Sequence, residues 1–129
     1  MSIDFAERAR ALVGTPFRLQ GRGAQGLDCV GVAIETYGLP SESIRRDYRM
    51  RGDHIGEARD HLSQYFRRIP ASQLRPGDLL LWRVSSDQLH IGVRTLAGFV
   101  HAHARLRRVV ETPGMPDWPI VGTYRRRRR

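Results

Sequence analysis

Gly26-Leu27-Asp28-Cys29-Val30-Gly31-Val32-Ala33-Ile34-Glu35-Thr36-Tyr37-Gly38-Leu39-Pro40 is the stretch that decides how the chain folds. It closes a Gly-rich loop that begins at Gly14, and it holds the only cysteine. Val30, Ala33, Ile34 and Tyr37 recur at helical spacing, Asp28 is a good N-cap, and Gly38 followed by Pro40 is a stop. The spacing therefore predicts a short helix with Cys29 in its first turn. There the unpaired backbone N–H groups and the positive end of the helix dipole favour the thiolate, the form that attacks carbonyls. A lone cysteine is more often a small buried hydrophobe. A Gly-rich approach and a cap aspartate immediately before Cys29 favour the reactive reading.

On the N-terminal side, Ser2 is the expected cap of a first helix with Ile3, Ala6, Ala9, Leu12 and Val13 on one side, ended by Gly14 and Pro16. On the C-terminal side, residues 41–52 read as a polar, Arg-heavy connection. Asp53 then caps an expected third helix through Ile55, Ala58, Leu62 and Phe66, closing before Pro70. His54 and His61 lie on it seven apart, and without a cysteine or carboxylate placed to join them they read as surface residues. After Pro76-Gly77-Asp78 the pattern changes to strands, at 78–84, 89–94, 98–103, 106–110 and 120–124. Short strands at close spacing imply an antiparallel sheet of about five strands. Helices first and a meander second is an α+β arrangement, with the Cys29 helix packed on the sheet.

A length of 129 residues with 40% hydrophobic and 27% charged content fits one domain with a modest core, expected over 1–124. No apolar run approaches a membrane span. An acid at Asp4 and the lack of a continuous apolar core argue against an ordinary signal peptide, so synthesis in the cytoplasm is expected. One cysteine excludes an intramolecular disulfide. The formal charge is +9 and all 22 basic residues are arginine. Five form the terminal run at 125–129, which composition reads as a solvated, disordered tail. Nucleic acid, anionic membrane and acidic wall polymer would all be drawn to that charge, so it selects no specific nucleic acid or membrane partner.

The two middle strands carry the remaining chemistry. If Thr95 and Leu96 centre the hairpin turn, His90 lies directly opposite His101, with Cβ atoms about 4.5–5.5 Å apart. A turn centred one residue later puts His103 opposite His90 instead. His101 and His103 have the same parity and point to one side of the strand. The constellation is thus Cys29 as nucleophile, His90 as general base and later acid, and His101 or His103 as the group that orients His90. Such a site splits amide hydrolysis into acylation and deacylation through a thioester. The Cys29 N–H, at the helix start, is placed to donate to the oxyanion. A metal site from Cys29, His90, His101 and His103 lacks the carboxylate or second cysteine that would complete a known spacing, and no metal or other cofactor is expected. Trp82 reads as core, Trp118 as a surface cover or groove wall, and Asp87 as an exposed loop residue.

Gly14-Thr15-Pro16-Phe17-Arg18, Gly26-Leu27-Asp28-Cys29-Val30-Gly31, Arg75-Pro76-Gly77-Asp78-Leu79, His90-Ile91-Gly92-Val93 and Phe99-Val100-His101-Ala102 together resemble the successive motifs of the NlpC-type cell-wall cysteine peptidases. They occur in the family's order and cover most of the chain, which is far more specific than any one of them. The resemblance implies a papain-like core, with Cys29 matching the nucleophile, His90 the base and His101 the third polar residue, and His103 as runner-up. It also implies peptidoglycan stem peptides as substrate, cleaved at the bond from D-glutamate to the next diamino acid. The short form with Pro16-Phe17-Arg18 and Gln20-Gly21-Arg22 resembles members encoded among phage and prophage tail genes, implying association with tail proteins and action at the wall. Asp28 matches a family aspartate. Many members carry tyrosine where this chain has Phe17, and losing one oxyanion donor costs on the order of 10²–10³ in rate. Gln20 and Arg18 are the nearest substitutes in sequence, and a fold retained without turnover, as a tail or assembly protein, is the alternative.

Overall fold

The computed structural model describes residues 4–18, 22–23, 26–40, 55–86 and 88–127. Ser2, Gln20, the 41–52 connection, Asp53, His54 and Asp87 lie outside them. Helix α1 spans Phe5–Arg10, and its cap is Asp4, whose carboxylate accepts from the Glu7 N–H at 3.0 Å. The expected start at Ser2 is therefore corrected: aspartate caps as well as serine does, and the helix begins where Asp4 satisfies an orphan donor. Ala6 and Ala9 are buried as expected, whereas Val13 is exposed in the turn that follows.

Helix α2 spans Cys29–Tyr37, with Asp28 as N-cap and Gly38 as C-cap in the left-handed conformation (φ 66°) that favours glycine. Asp28 Oδ1 accepts from the Gly31 N–H at 2.7 Å. The helix is buried nearly all round, between α1 and a sheet, which is why its stretch carries so few charges. Helix α3, Ile55–Ser63, stops earlier than expected. Phe66–Ile69 is strand β3, numbered after the short hairpin of β1, Arg22–Gly23, and β2, Gly26–Leu27. Phe66 and Ile69 are buried with Arg67 and Arg68 exposed between them, a spacing that mimics a helix. Backbone pairing with the last strand overrides that local pattern.

The remaining strands are β4 (Leu79–Ser85), β5 (Gln88–Arg94), β6 (Gly98–His103), β7 (Arg108–Pro113) and β8 (Ile120–Arg126). They form with β3 a six-stranded antiparallel sheet in the order β3-β8-β4-β5-β6-β7, one strand more than expected. In β4 the side chains of Leu79, Leu80, Leu81 and Trp82 are all at 0% exposure, so both faces of the sheet are covered. Leu79 and Leu81, with Leu89, Ile91 and Val93 of β5, join the α2 core; Leu80, Trp82 and Phe99 form a second cluster on the other face, with Trp118 against it. Residues 14–17 run along the outer edge of β7, where the Gly14 and Phe17 N–H groups donate to the Val109 and Arg107 carbonyls. That covers an edge otherwise open to pairing with another chain.

The expectation of a disordered arginine tail from 125 is also corrected. Arg125 and Arg126 lie within β8, paired with Arg67 and Phe66 of β3. The reason is Asp78, which is 2% exposed and needs a counter-charge. Arg125 supplies it as a fork, Nε to Oδ1 at 2.9 Å and Nη2 to Oδ2 at 2.8 Å.

Candidate active site

Antiparallel alternation puts the start of β5, the end of β6 and the start of β7 at the same end of the sheet. The loop that leads to Cys29 approaches this region: β2 touches β7, and the Phe17 N–H donates to the Arg107 carbonyl at 2.8 Å in the β6–β7 turn. Cys29 is the first residue of α2, partly exposed, and its side chain packs against the α2 core. Phe17 is half-buried against the same core.

The hairpin joining β5 and β6 departs from the first expectation. Val93 pairs with Val100 and Arg94 with Phe99, so the turn is centred one residue later than Thr95-Leu96. Continued in register, that pairing would set His103 opposite His90. The ladder contains only these two pairs, however, and beyond them His90 reaches the diagonal neighbour. His90 Nε2 lies 2.8 Å from His101 Nδ1, with the rings perpendicular at 84° and 5.1 Å between centroids. His103 instead accepts the Leu106 N–H at its Nδ1, closing the β6–β7 turn. Of the two orienting candidates, the structure brings His101 to His90.

Aromatic rings enclose this pair. Trp82 stacks on His90 with centroids 6.1 Å apart and planes 22° from parallel, and Trp118 meets His90 edge-on at 5.7 Å. Phe99 lies 4.5 Å from the His101 ring. Gly92 makes room for the Trp82 ring: a Cβ there would stand 2.8 Å from one of its carbons. Desolvation in this apolar wall pushes His90 down to about 4, with the electrostatic influence of His103 a smaller cause in the same direction. His101 falls to about 3, again chiefly through burial, with His90 and His103 contributing. Both imidazoles are therefore neutral near pH 7.

A neutral imidazole carries one proton, so the 2.8 Å contact needs one ring to donate and the other to accept. If His90 donates from Nε2, its Nδ1 keeps a lone pair and can take a proton from a nucleophile. His101 must then carry its own proton on Nε2, and Thr112 Oγ1 stands 2.9 Å from that nitrogen. Thr112 lies in β7 beyond the strand expected at 106–110, and only the diagonal lean of side chains across the sheet could have indicated it. Trp118, expected as a surface cover or groove wall, packs on both histidines. Among the described residues, no three His, Cys, Asp or Glu side chains are gathered to hold a metal ion, and no helix is long and apolar enough to cross a membrane.

Residues 14–115 match the model of the family described as NlpC/P60. Among solved structures, the chain is similar to NlpC1 from Trichomonas vaginalis, at 20% identity and a TM-score of 0.69 over 94% of this chain and 42% of that one. It is also similar to the NlpC/p60 domain of the peptidoglycan hydrolase SagA, at 21% identity and a TM-score of 0.61 over 85% and 86% of the two chains. A third is RipD from Mycobacterium tuberculosis, described as a non-catalytic NlpC/p60 domain protein adapted to peptidoglycan binding, at 15% identity and a TM-score of 0.59 over 95% and 94%. The chain spans less than half the length of NlpC1 and of a second similar structure, NlpC2 from Trichomonas vaginalis. No curated protein sequence matches it.

Proposed function

Since the chain belongs to the NlpC/P60 family, we propose that it is a cysteine peptidase that hydrolyses amide bonds in peptidoglycan stem peptides, at the link from D-glutamate to the diamino acid. The observation that carries this reading is the enclosed His90–His101 pair, whose hydrogen bond can leave His90 Nδ1 as a lone-pair base. In the proposed cycle His90 takes the Cys29 proton and the sulfur attacks the carbonyl carbon. The tetrahedral oxyanion accepts from the Cys29 N–H. Collapse breaks the C–N bond, and the leaving amine takes the proton from His90. A water then gives its proton to His90 and cleaves the thioester, restoring the thiol.

The magnitudes are compatible with this cycle. Depressing His90 from 6.5 to about 4 represents roughly 3 kcal/mol against its protonation. An opposite charge about 4 Å away is worth roughly 4 kcal/mol at an effective dielectric near 20. A thiolate brought to that distance from His90 would offset the burial, and the imidazolium would form only with that anion beside it.

Phe17 favours a second reading, a peptidoglycan-binding scaffold without turnover, because its ring offers no hydroxyl to the oxyanion. Association with a phage or prophage tail rests on the resemblance of residues 16–18 and 20–22 alone. The deciding experiment is digestion of purified muropeptides by the wild-type protein and Cys29→Ala, with mass spectrometry of the products. Fragments from the wild type only are expected. Equal fragments from both remove Cys29 as nucleophile, and none from either favours the scaffold.

A further inference from the structure

We propose that Thr112 is a positioning residue for the proposed peptidase reaction, supplying the acceptor that the catalytic tautomers of His101 and His90 need. This rests on the peptidase reading for its effect on rate, but the tautomers themselves are a property of the fold. Three strands contribute one member each: His90 from β5, His101 from β6 and Thr112 from β7. Both contacts are diagonal in the same sense. His101 pairs through its backbone with Val110, and Thr112 with Phe99, yet His101 Nε2 reaches Thr112 Oγ1 at 2.9 Å.

The chain of bonds can run in only two directions. Running outward, His90 Nε2–H donates to His101 Nδ1, and His101 Nε2–H donates to Thr112 Oγ1, leaving His90 Nδ1 as a lone pair. Running inward, the threonine hydroxyl donates to His101 Nε2, His101 Nδ1–H donates to His90 Nε2, and the His90 proton sits on Nδ1, where no base is available. Once His90 becomes an imidazolium both its nitrogens donate, so only the outward direction survives the catalytic step. The outward chain needs an acceptor at its far end, because His101 is 3% exposed and an unpaired buried N–H costs about 1–3 kcal/mol. Thr112 Oγ1 is that acceptor, and with it in place the outward chain leaves no buried imidazole N–H unpaired. A tautomer error of this kind in a Ser-His-Asp site costs about 10⁴ in kcat.

The test is ¹⁵N–¹H correlation of the imidazole rings in the full chain at pH 7, beside kinetics of Thr112→Ser and Thr112→Val. The wild type and Thr112→Ser should show His101 and His90 both protonated at Nε2. Thr112→Val, nearly the same shape without the hydroxyl, should lose that pattern, and kcat should fall about 10- to 100-fold, the loss typical when the outer partner of a metal-bound histidine is removed. KM should stay within about twofold, because Thr112 acts through His101, and Thr112→Ser should restore kcat. Wild-type spectra with His101 protonated at Nδ1 would overturn the proposal, as would Thr112→Val with unchanged tautomers and kcat. The expected tautomers in a wild type that cleaves nothing would sink the peptidase reading and leave the role of Thr112 standing.

Discussion

Replacing Arg125 by methionine tests whether the terminal arginines are part of the folded body. Its guanidinium donates twice to Asp78, at 2.9 and 2.8 Å, and once to the Gln73 carbonyl at 2.9 Å. The Asp78 side chain is 3% exposed and that of Arg125 15%. Methionine keeps much of the aliphatic stem and removes the charge, stranding a buried carboxylate that, among the described residues, keeps the Arg75 N–H as donor at 2.9 Å. Breaking such a pair costs about 3–5 kcal/mol. The Arg75 N–H and the partial access of water at position 125 favour the lower end. For a domain of this size each kcal/mol moves Tm by about 3–5 °C, so Arg125→Met should melt about 10–15 °C below the wild type. Adding Asp78→Asn removes the stranded charge while keeping an oxygen for Arg75, and should recover most of the loss. Thermal and urea unfolding followed by circular dichroism at pH 7 give both numbers. A single variant within about 1 kcal/mol of wild type would mean that Arg125 is solvated, as composition alone suggests, and the account of β8 would be wrong.

Acid should destabilise the fold through its histidines. Their folded pKa values, about 4 and about 3, lie below the unfolded value near 6.5. Their stabilisation is thus complete above pH 6.5 and is lost as pH falls toward 4, on the order of 2–3 kcal/mol for each imidazole. Urea midpoints between pH 7.5 and 4 should fall more steeply for wild type than for His101→Gln, and parallel slopes would refute the assignment. Gly92→Ala should cost about 1–3 kcal/mol by overpacking the Trp82 ring, and an unchanged denaturation midpoint would show that the ring yields freely. Phe17→Tyr should raise muropeptide turnover at least about tenfold, since one oxyanion donor is worth on the order of 10²–10³. Unchanged kcat would mean that the hydroxyl finds no oxyanion to reach.

What could be read from the chain was written locally. The cap, periodicity and stop of α2 lie within eleven residues, and the run from Leu79 to Trp82 announces a strand buried on both faces. What could not be read depends on distant partners. Nothing near Phe66 distinguishes another helical turn from a strand, because the choice is made by pairing with Arg126 of β8, 60 positions later. Arg125 looks like tail until Asp78, 47 residues away, is found with it as a counter-charge.

The histidine pair combines both situations. Strand parity correctly put His90, His101 and His103 within one neighbourhood, but turn length specifies which Cα atoms are opposed, not which rings touch. The turn is centred one residue later than the sequence suggested, which shifts the backbone partner of His90 by two positions, from His101 to His103. The diagonal lean of the side chain shifts it back by the same two positions, and His101 becomes the ring that His90 meets. The same lean carries His101 past its backbone partner Val110 to Thr112. One geometric rule, set by the twist of the sheet rather than by any local motif, thus accounts for both the partner that was foreseen and the one that was not.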